Sequence, residues 1–241
     1  MRMKERLVNY KEISIPVKAS FWYTICNITI KGLALFSTPI FTRMLSEEEY
    51  GIYSIFQSWY GILLIFTSLN IFLGGYTKGL ILFKENSNEF TSASLALVVF
   101  ITCCYGLIYL MNPVQWSQIF DLKPSLMYVM FLELLFMPAL EFWAAKSRFE
   151  YRYKAYVFVT LISSILSIGL GIVAVLNTQY KIEARIYTDV FAKVVVAAIL
   201  FALIFVKGKA VFRKKYWMYS LKFNIPLIPH YLANYVLNQS D

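Results

Sequence analysis

Blocks of about 20 mainly apolar residues, each long enough to cross about 30 Å of hydrocarbon as a helix, recur along the chain between short polar segments. They predict an all-α, polytopic transmembrane helical bundle with six complete spans, over residues 20–42, 50–76, 92–112, 125–145, 155–176 and 187–206. A seventh span begins near Lys222 and runs to Asp241. The same pattern divides the chain into a polar tail at 1–19, a six-helix lobe at 20–206, a basic connection at 207–221 and the start of a seventh helix at 222–241.

Within the blocks, polar residues form stripes. At about 100° per residue, Ser20, Thr24, Asn27, Lys31, Thr38 and Thr42 of the first helix fall in a sector of roughly 60°. Ser54, Gln57, Ser58, Gly61 and Ser68 repeat the pattern on the second helix. A stripe kept polar against the cost of insertion meets water or another polar face rather than lipid. Because Lys31 and Gln57 are long, the first two helices are expected to line a wet cavity. On the fifth helix Thr160, Ser163, Ser164, Ser167 and Gly171 are all small, which predicts close helix–helix packing instead.

Charged side chains inside spans are functional candidates because hydrocarbon penalises them. Lys31 lies near mid-membrane. Glu133 and Glu141 are eight residues apart on the fourth helix, hence about 80° and roughly 12 Å apart, too far to share a proton. Glu133 matches the depth of Lys31, and Glu141 is within reach of Lys146. Asp189 and Lys193 are spaced i,i+4 on the sixth helix and predict an ion pair on one face. Lys31 is then either a cation that faces a substrate or the counter-charge of Glu133. Pro39, Pro138, Pro226, Pro229 and the pair Gly74 and Gly75 predict helix discontinuities. At membrane depth these are tolerated where a protein interior or cavity supplies hydrogen-bond partners.

Composition supports the membrane reading. The chain of 241 residues is 59% hydrophobic, 18% aromatic and 15% charged, with mean hydropathy +0.59, too little polar surface for a soluble domain of that size. Cys26, Cys103 and Cys104 all fall inside apolar spans and predict neither a disulfide framework nor a zinc site. The first seventeen residues are polar and basic, and the first apolar run is a full span without a small-residue cleavage site, so the first helix is expected to remain in the mature protein.

Charge sets the orientation. Seventeen Lys and Arg residues lie on one side: Arg2, Lys4, Arg6, Lys11 and Lys18 in the tail, then Lys78 and Lys84, then Lys146, Arg148, Arg152 and Lys154, then six from Lys207 to Lys222. Arg43, Lys123, Lys181 and Arg185 make four on the other. The split predicts a cytoplasmic N-terminus in the cell (inner) membrane. Most of the formal charge of +9 is thereby a topology signal. Basic stretches such as "VFRKKYW" and "KSRFEYRYK" read as loops that face anionic lipid rather than as a nucleic-acid surface.

The turn "TRMLSEEEYG" places three carboxylates between two apolar runs on the sparsely basic side. Ser46 and Glu49 have the spacing of a capping box at the start of the second helix, and Leu45 and Tyr50 that of a hydrophobic staple. Carboxylates also suit the positive end of a helix dipole. A turn of a few residues is too short for the folded acidic loop of a membrane glycosyltransferase. A Gly-rich phosphate loop, Cys-x-x-Cys, His-Glu-x-x-His and Gly-x-Ser-x-Gly are all missing. The single histidine, His230, shares a stripe with Asn234, Asn238 and Asp241 and cannot alone make a metal site or a triad. No catalytic residue, metal site or cofactor is expected.

"SFWYTICNITIKGLALFSTPIFTRMLSEEEYGIYSIFQSW", residues 20–59, resembles the N-terminal signature of bacterial oligosaccharide flippases, the polysaccharide-biosynthesis branch of the multidrug/oligosaccharidyl-lipid/polysaccharide exporter superfamily. The order carries the match: an opening helix, Thr38-Pro39 at its outer end, Arg43, a short acidic turn, then Tyr50-Gly51-Ile52-Tyr53-Ser54 entering the next helix. "PLIPHYLANYVLNQSD", residues 226–241, resembles the start of that family's second half. The resemblance implies one lobe of a two-lobed, cavity-forming exporter of undecaprenyl-diphosphate-linked sugar repeat units, with a polysaccharide polymerase as a further partner. It implies that Lys31 meets the diphosphate or acidic sugars, with Thr24, Asn27, Thr38, Gln57 and Ser58 beside it. It also implies that this chain, alone, lacks the second lobe. A drug or ion antiporter of the same superfamily, or an integral-membrane enzyme of sugar-lipid metabolism, are the alternatives.

Overall fold

The computed structural model describes residues 14–239, and among these all regular structure is helical. The tail residues Arg2, Lys4, Arg6 and Lys11, the side chain of Asn238, and Asp241 lie outside the described set. The α-helices are α1 (Ile15–Met44), α2 (Glu47–Ser68), α3 (Gly75–Leu82), α4 (Ser87–Met111), α5 (Pro113–Phe120), α6 (Pro124–Phe149), α7 (Tyr153–Leu176), α8 (Lys181–Gly208), α9 (Lys214–Asn224) and α10 (Ile228–Gln239). Short 3-10 turns at Lys84–Asn86 and Ile225–Leu227 lead into α4 and α10. Prolines open α1, α5 and α6, where a missing N–H costs no helical hydrogen bond.

Five helices, α1, α4 with its leading turn, α6, α7 and α8, are long and apolar enough to cross a membrane. Six complete spans were expected, and the second is the one that differs. Instead of running over residues 50–76, it ends at Ser68, where Leu69 and Asn70 adopt left-handed backbone (φ 50° and 45°). That conformation is costly for residues with a Cβ, and here the surroundings hold it: both residues are buried, and Ser68 Oγ accepts from the Asn70 N–H at 3.1 Å. The expected loosening at Gly74 and Gly75 therefore occurs earlier, at non-glycine residues. Pro39 and Pro138 stay inside continuous helices.

The α2 start shows the capping box in full. The Glu49 carboxylate accepts from the Ser46 N–H at 2.8 Å, and Ser46 Oγ accepts from the Glu49 N–H at 3.2 Å. Leu45 packs beside Tyr50 in a small cluster with Phe41 and Val175. The three carboxylates of this turn form a helix start.

The core has two main clusters. At the basic end, Tyr76 stacks on Phe90 (5.6 Å between centroids) and meets Phe142 edge-on, with its hydroxyl 2.7 Å from Thr91 Oγ1. Toward the opposite end, Phe56, Met127, Met130, Leu134 and Ile186 fill the space between α2, α6 and α8. α8 packs most extensively, against α7, α6 and α4, while α1 is attached mainly through α7.

The expected boundary at 221/222 falls inside α9. This helix is built into the fold, with Tyr216, Ser220 and Asn224 buried. Asn224 Oδ1 accepts from the Gly75 N–H at 3.2 Å and its Nδ2 donates to the Ser220 carbonyl at 2.8 Å. From there α10 returns along α2, where the Tyr235 ring occupies the place a side chain on Gly61 would take. His230 and Asn234 of α10 hydrogen-bond one turn apart at 3.0 Å.

Asn224→Leu strips the partner from a buried Gly75 N–H, which costs about 1–3 kcal/mol. Loss of the cap in Ser46→Ala costs about 1 kcal/mol at an exposed site. The thermal midpoint of the detergent-purified protein is expected to fall further for Asn224→Leu than for Ser46→Ala, and the reverse order would contradict this account of α9.

Candidate functional site

Arg185, Asp189 and Lys193 are spaced i, i+4 and i+8 on α8 and so advance only about 40° per step around the helix. The stripe is completed by neighbours. Lys193 Nζ lies 2.8 Å from Asp189 Oδ2 and 3.2 Å from Glu133 Oε1 of α6. Arg185 Nη1 is 3.6 Å from Asp189 Oδ1, which also accepts from the Ser167 hydroxyl of α7. Two cations and two carboxylates cancel inside the lobe, as buried charges must.

Aromatic rings hold the Arg185 end of this cluster. The Arg185 guanidinium lies 4.2 Å from the Phe41 ring centre of α1 and 5.2 Å from that of Tyr53 of α2, and Nη2 reaches the Tyr53 hydroxyl at 3.5 Å. Gly171 of α7 makes room, since a Cβ there would sit 3.1 Å from Arg185 Nη1 and 3.2 Å from the Phe41 ring. Among the described residues, two buried side-chain polar atoms are without a hydrogen bond, Arg185 Nη1 and Glu133 Oε2.

A cavity of about 360 Å³ opens over the cluster. Arg185 and Lys193 lie on its wall with Thr160, Ser163, Ser164 and Ser167 of α7, and Ser37 and Thr38 of α1 and Tyr50 and Tyr53 of α2 add to its polar lining. The small residues of α7 therefore serve two ends. Ser163, Ser167 and Gly171 are buried where α7 meets its neighbours, and the hydroxyls of Thr160, Ser163 and Ser164 bond back to carbonyls of their own helix. Chemically, the open cavity carries a guanidinium and an ammonium already paired with Asp189 and Glu133, beside Ser and Thr hydroxyls whose protons go to helix carbonyls or to Asp189 and whose oxygens remain as acceptors. Among the described residues no group of three or more His, Cys, Asp or Glu comes together as a metal centre would require.

The other expected site residues fall elsewhere. Lys31 is exposed on α1 and does not pair with Glu133, whose partner is Lys193. Thr24, Asn27 and Thr38 share that exposed face, with the hydroxyls of Thr24 and Thr38 bonded to Ser20 and Ala34 carbonyls. The stripes of α1 and α2 do not face each other. α1 packs on α7, whereas the carbonyls of Gln57 and Ser58 accept from the Tyr235 hydroxyl of α10 at 3.3 and 3.1 Å. Glu141 does not bond Lys146, which donates to Asn88 Oδ1 at 2.6 Å. Arg185 was expected among the external basic residues because the sixth span was drawn from residue 187. Its position four residues before Asp189, continuing the Asp189 and Lys193 stripe, was the signal for it.

Compared with known proteins, the chain matches no curated protein and no solved structure. It does match, over residues 17–241, the family described as polysaccharide biosynthesis protein. With five helices able to cross a bilayer and this match over nearly its whole length, the chain is a membrane protein of the polysaccharide biosynthesis protein family, with a role in the biosynthesis or transport of polysaccharide.

Proposed function

We propose that the chain forms a lobe of a flippase that carries undecaprenyl-diphosphate-linked oligosaccharide repeat units from the cytoplasmic to the periplasmic or outer leaflet, for O-antigen, capsule or exopolysaccharide synthesis. The observation that carries this reading is a contrast between cations. Lys193 and Arg185 are neutralised within the lobe. Lys31, midway along α1, has no ion pair among the described residues and stands on a polar, exposed face. An ammonium at mid-depth is tolerated only against water or an anion, so this face of α1 borders a wet path.

A diphosphate headgroup is the anion that such a path suits. Carrying a bare ionised group through hydrocarbon costs tens of kcal/mol in the Born limit, and a hydrated groove with a fixed cation removes most of that barrier. Thr24, Asn27 and Thr38 offer donors and acceptors to the sugars, and Gln57 and Ser58 of α2 belong to the same polar inventory. The basic end of the bundle faces the cytoplasm in this reading, against anionic lipid, and a polysaccharide polymerase receives the product on the other side.

Where surface polysaccharide depends on this chain, Lys31→Ala is expected to lower polymer export severalfold at near-normal membrane abundance, and Lys31→Arg to retain most of it. Because Glu133 pairs with Lys193, adding Glu133→Ala is not expected to rescue Lys31→Ala. Full rescue would remove Lys31 from the substrate path. Lys193→Ala leaves a buried pair broken, at about 3–5 kcal/mol, and is expected to lower abundance itself.

Orientation has its own test. In a background without Cys26, Cys103 and Cys104, single cysteines at the exposed positions Glu48, Gln118 and Gln179 should react with an impermeant thiol reagent on intact cells, and cysteines at Lys154 and Lys209 only after lysis. Labelling of the second pair on intact cells would reverse the topology.

A further inference from the structure

We propose that a crevice at the basic end of the bundle, between the first turn of α4 and the last turns of α6 and α8, binds the phosphoryl headgroup of a membrane lipid. The crevice has a volume of about 470 Å³. Its rim carries Lys146, Arg152 and Lys207, with the single carboxylate Glu150. That carboxylate is already taken, lying 2.8 Å from Arg152 Nε. Glu89, on the first turn of α4, is committed to Arg213 at 3.7 Å and to the Tyr216 hydroxyl at 3.5 Å.

Two ammonium groups are left converging on one space. Lys146 is half-buried and donates only to a neutral amide, Asn88 Oδ1, at 2.6 Å. Lys207 has no ion pair among the described residues. Three cations share this rim with one carboxylate, so a surplus of positive charge is left to receive an anion, and a phosphoryl group with several acceptor oxygens can take both ammonium groups.

The walls of the crevice are fixed. Gly208, the last residue of α8, lies so close to α4 that a side chain there would overlap Ser92 Oγ and the Asn88 carbonyl. The Ala210 N–H donates to the same Ser92 Oγ at 3.3 Å, pinning the chain just after Lys207. The Lys207 stem is thereby anchored to the turn that carries Asn88, the partner of Lys146.

The remaining lining separates a lipid from a free ion. Trp143, Leu203 and Ile204 continue the crevice into the apolar body of the helices, and Leu203 is 45% exposed. A phosphoryl group at the cationic rim would lay its hydrocarbon along this strip, with the tryptophan at the usual interfacial depth. The site lies apart from the cavity over Arg185 and Lys193 and does not rest on the transport reading, since any anionic lipid satisfies its chemistry.

The test uses the full chain in nanodiscs of neutral phosphatidylcholine, with lipid adducts counted by native mass spectrometry. Phosphatidylglycerol, undecaprenyl phosphate and inorganic phosphate are titrated separately. Removing two cations at roughly fivefold each, Lys146→Gln/Lys207→Gln is expected to weaken adduct formation by about twenty-fivefold for whichever lipid binds. Lys214→Gln/Lys215→Gln, which removes the same charge elsewhere on the basic end, is expected to leave it within about twofold. The relative strength of the two lipids identifies the source of the headgroup, and either one bound through the crevice supports the site. Equal loss in the two double variants, no loss in either, or inorganic phosphate bound as tightly as lipid would overturn it. An unchanged thermal midpoint of the crevice variant separates lost binding from lost fold.

Discussion

Four ionised side chains that must cancel inside a bilayer fix the register of the lobe. Glu133 cannot lose Lys193 without becoming a lone buried carboxylate, and Lys193, at 2.8 Å from Asp189 and 3.2 Å from Glu133, is the only cation among the described residues that pairs with both. The requirement reaches every neighbour: α6 must present Glu133, α7 must bring Ser167 and leave Gly171 bare, and α1 and α2 must supply the rings of Phe41 and Tyr53 over Arg185. Sliding α6 against α8 by one turn, about 5.4 Å, would strand Glu133. Close packing of α7 and α8 through small residues is the geometric condition for that electrostatic one.

α1 stands outside this lock for most of its length. Of its 30 residues only Ala19, Cys26 and Phe41 are buried, and its main attachment is to α7. The Tyr23 hydroxyl, bonded to the Ser147 carbonyl at 3.2 Å, ties down the basic end, and the Lys181 ammonium on the Met44 carbonyl at 3.0 Å ties down the other. Between those ties α1 shares little buried surface with the lobe, so its displacement disturbs few contacts. An element with few buried contacts is where a conformational step costs least.

Most of the architecture was legible because the bilayer imposes a length and a polarity that sequence records directly. The blocks behind α1, α4, α6, α7 and α8, the Ser46–Glu49 cap and the Asp189–Lys193 spacing were all visible in one dimension. What escaped depended on tertiary partners. The end of α2 at Leu69 and Asn70 uses left-handed non-glycine residues that only burial stabilises. α9 reads as a basic connection until Tyr216, Ser220 and Asn224 are seen to point inward together. Glu133 was matched by depth to Lys31 whereas its partner is Lys193, because depth along a helix says nothing about the direction a side chain takes around it. Arg185 was lost to a boundary drawn two residues too late.

The fate of the two polar stripes defines the surface that remains for a ligand. On the α2 stripe Tyr235 covers Gly61 and bonds the backbone carbonyls of Gln57 and Ser58, whose side chains stay half-exposed. The α1 stripe stays exposed, and Thr38 belongs both to it and to the lining of the cavity over Arg185 and Lys193. Lys31 and Thr38 lie two turns apart, about 10 Å along the helix. A polar track thus runs along α1 from an uncompensated ammonium to a compensated cluster whose Arg185 Nη1 still lacks a hydrogen bond. Among the described residues Lys31 has no ion pair, whereas Arg185 and Lys193 would have to give up Asp189 and Glu133 to take another anion, so of the two ends of the track the Lys31 end is the less costly place for an anion to meet a cation.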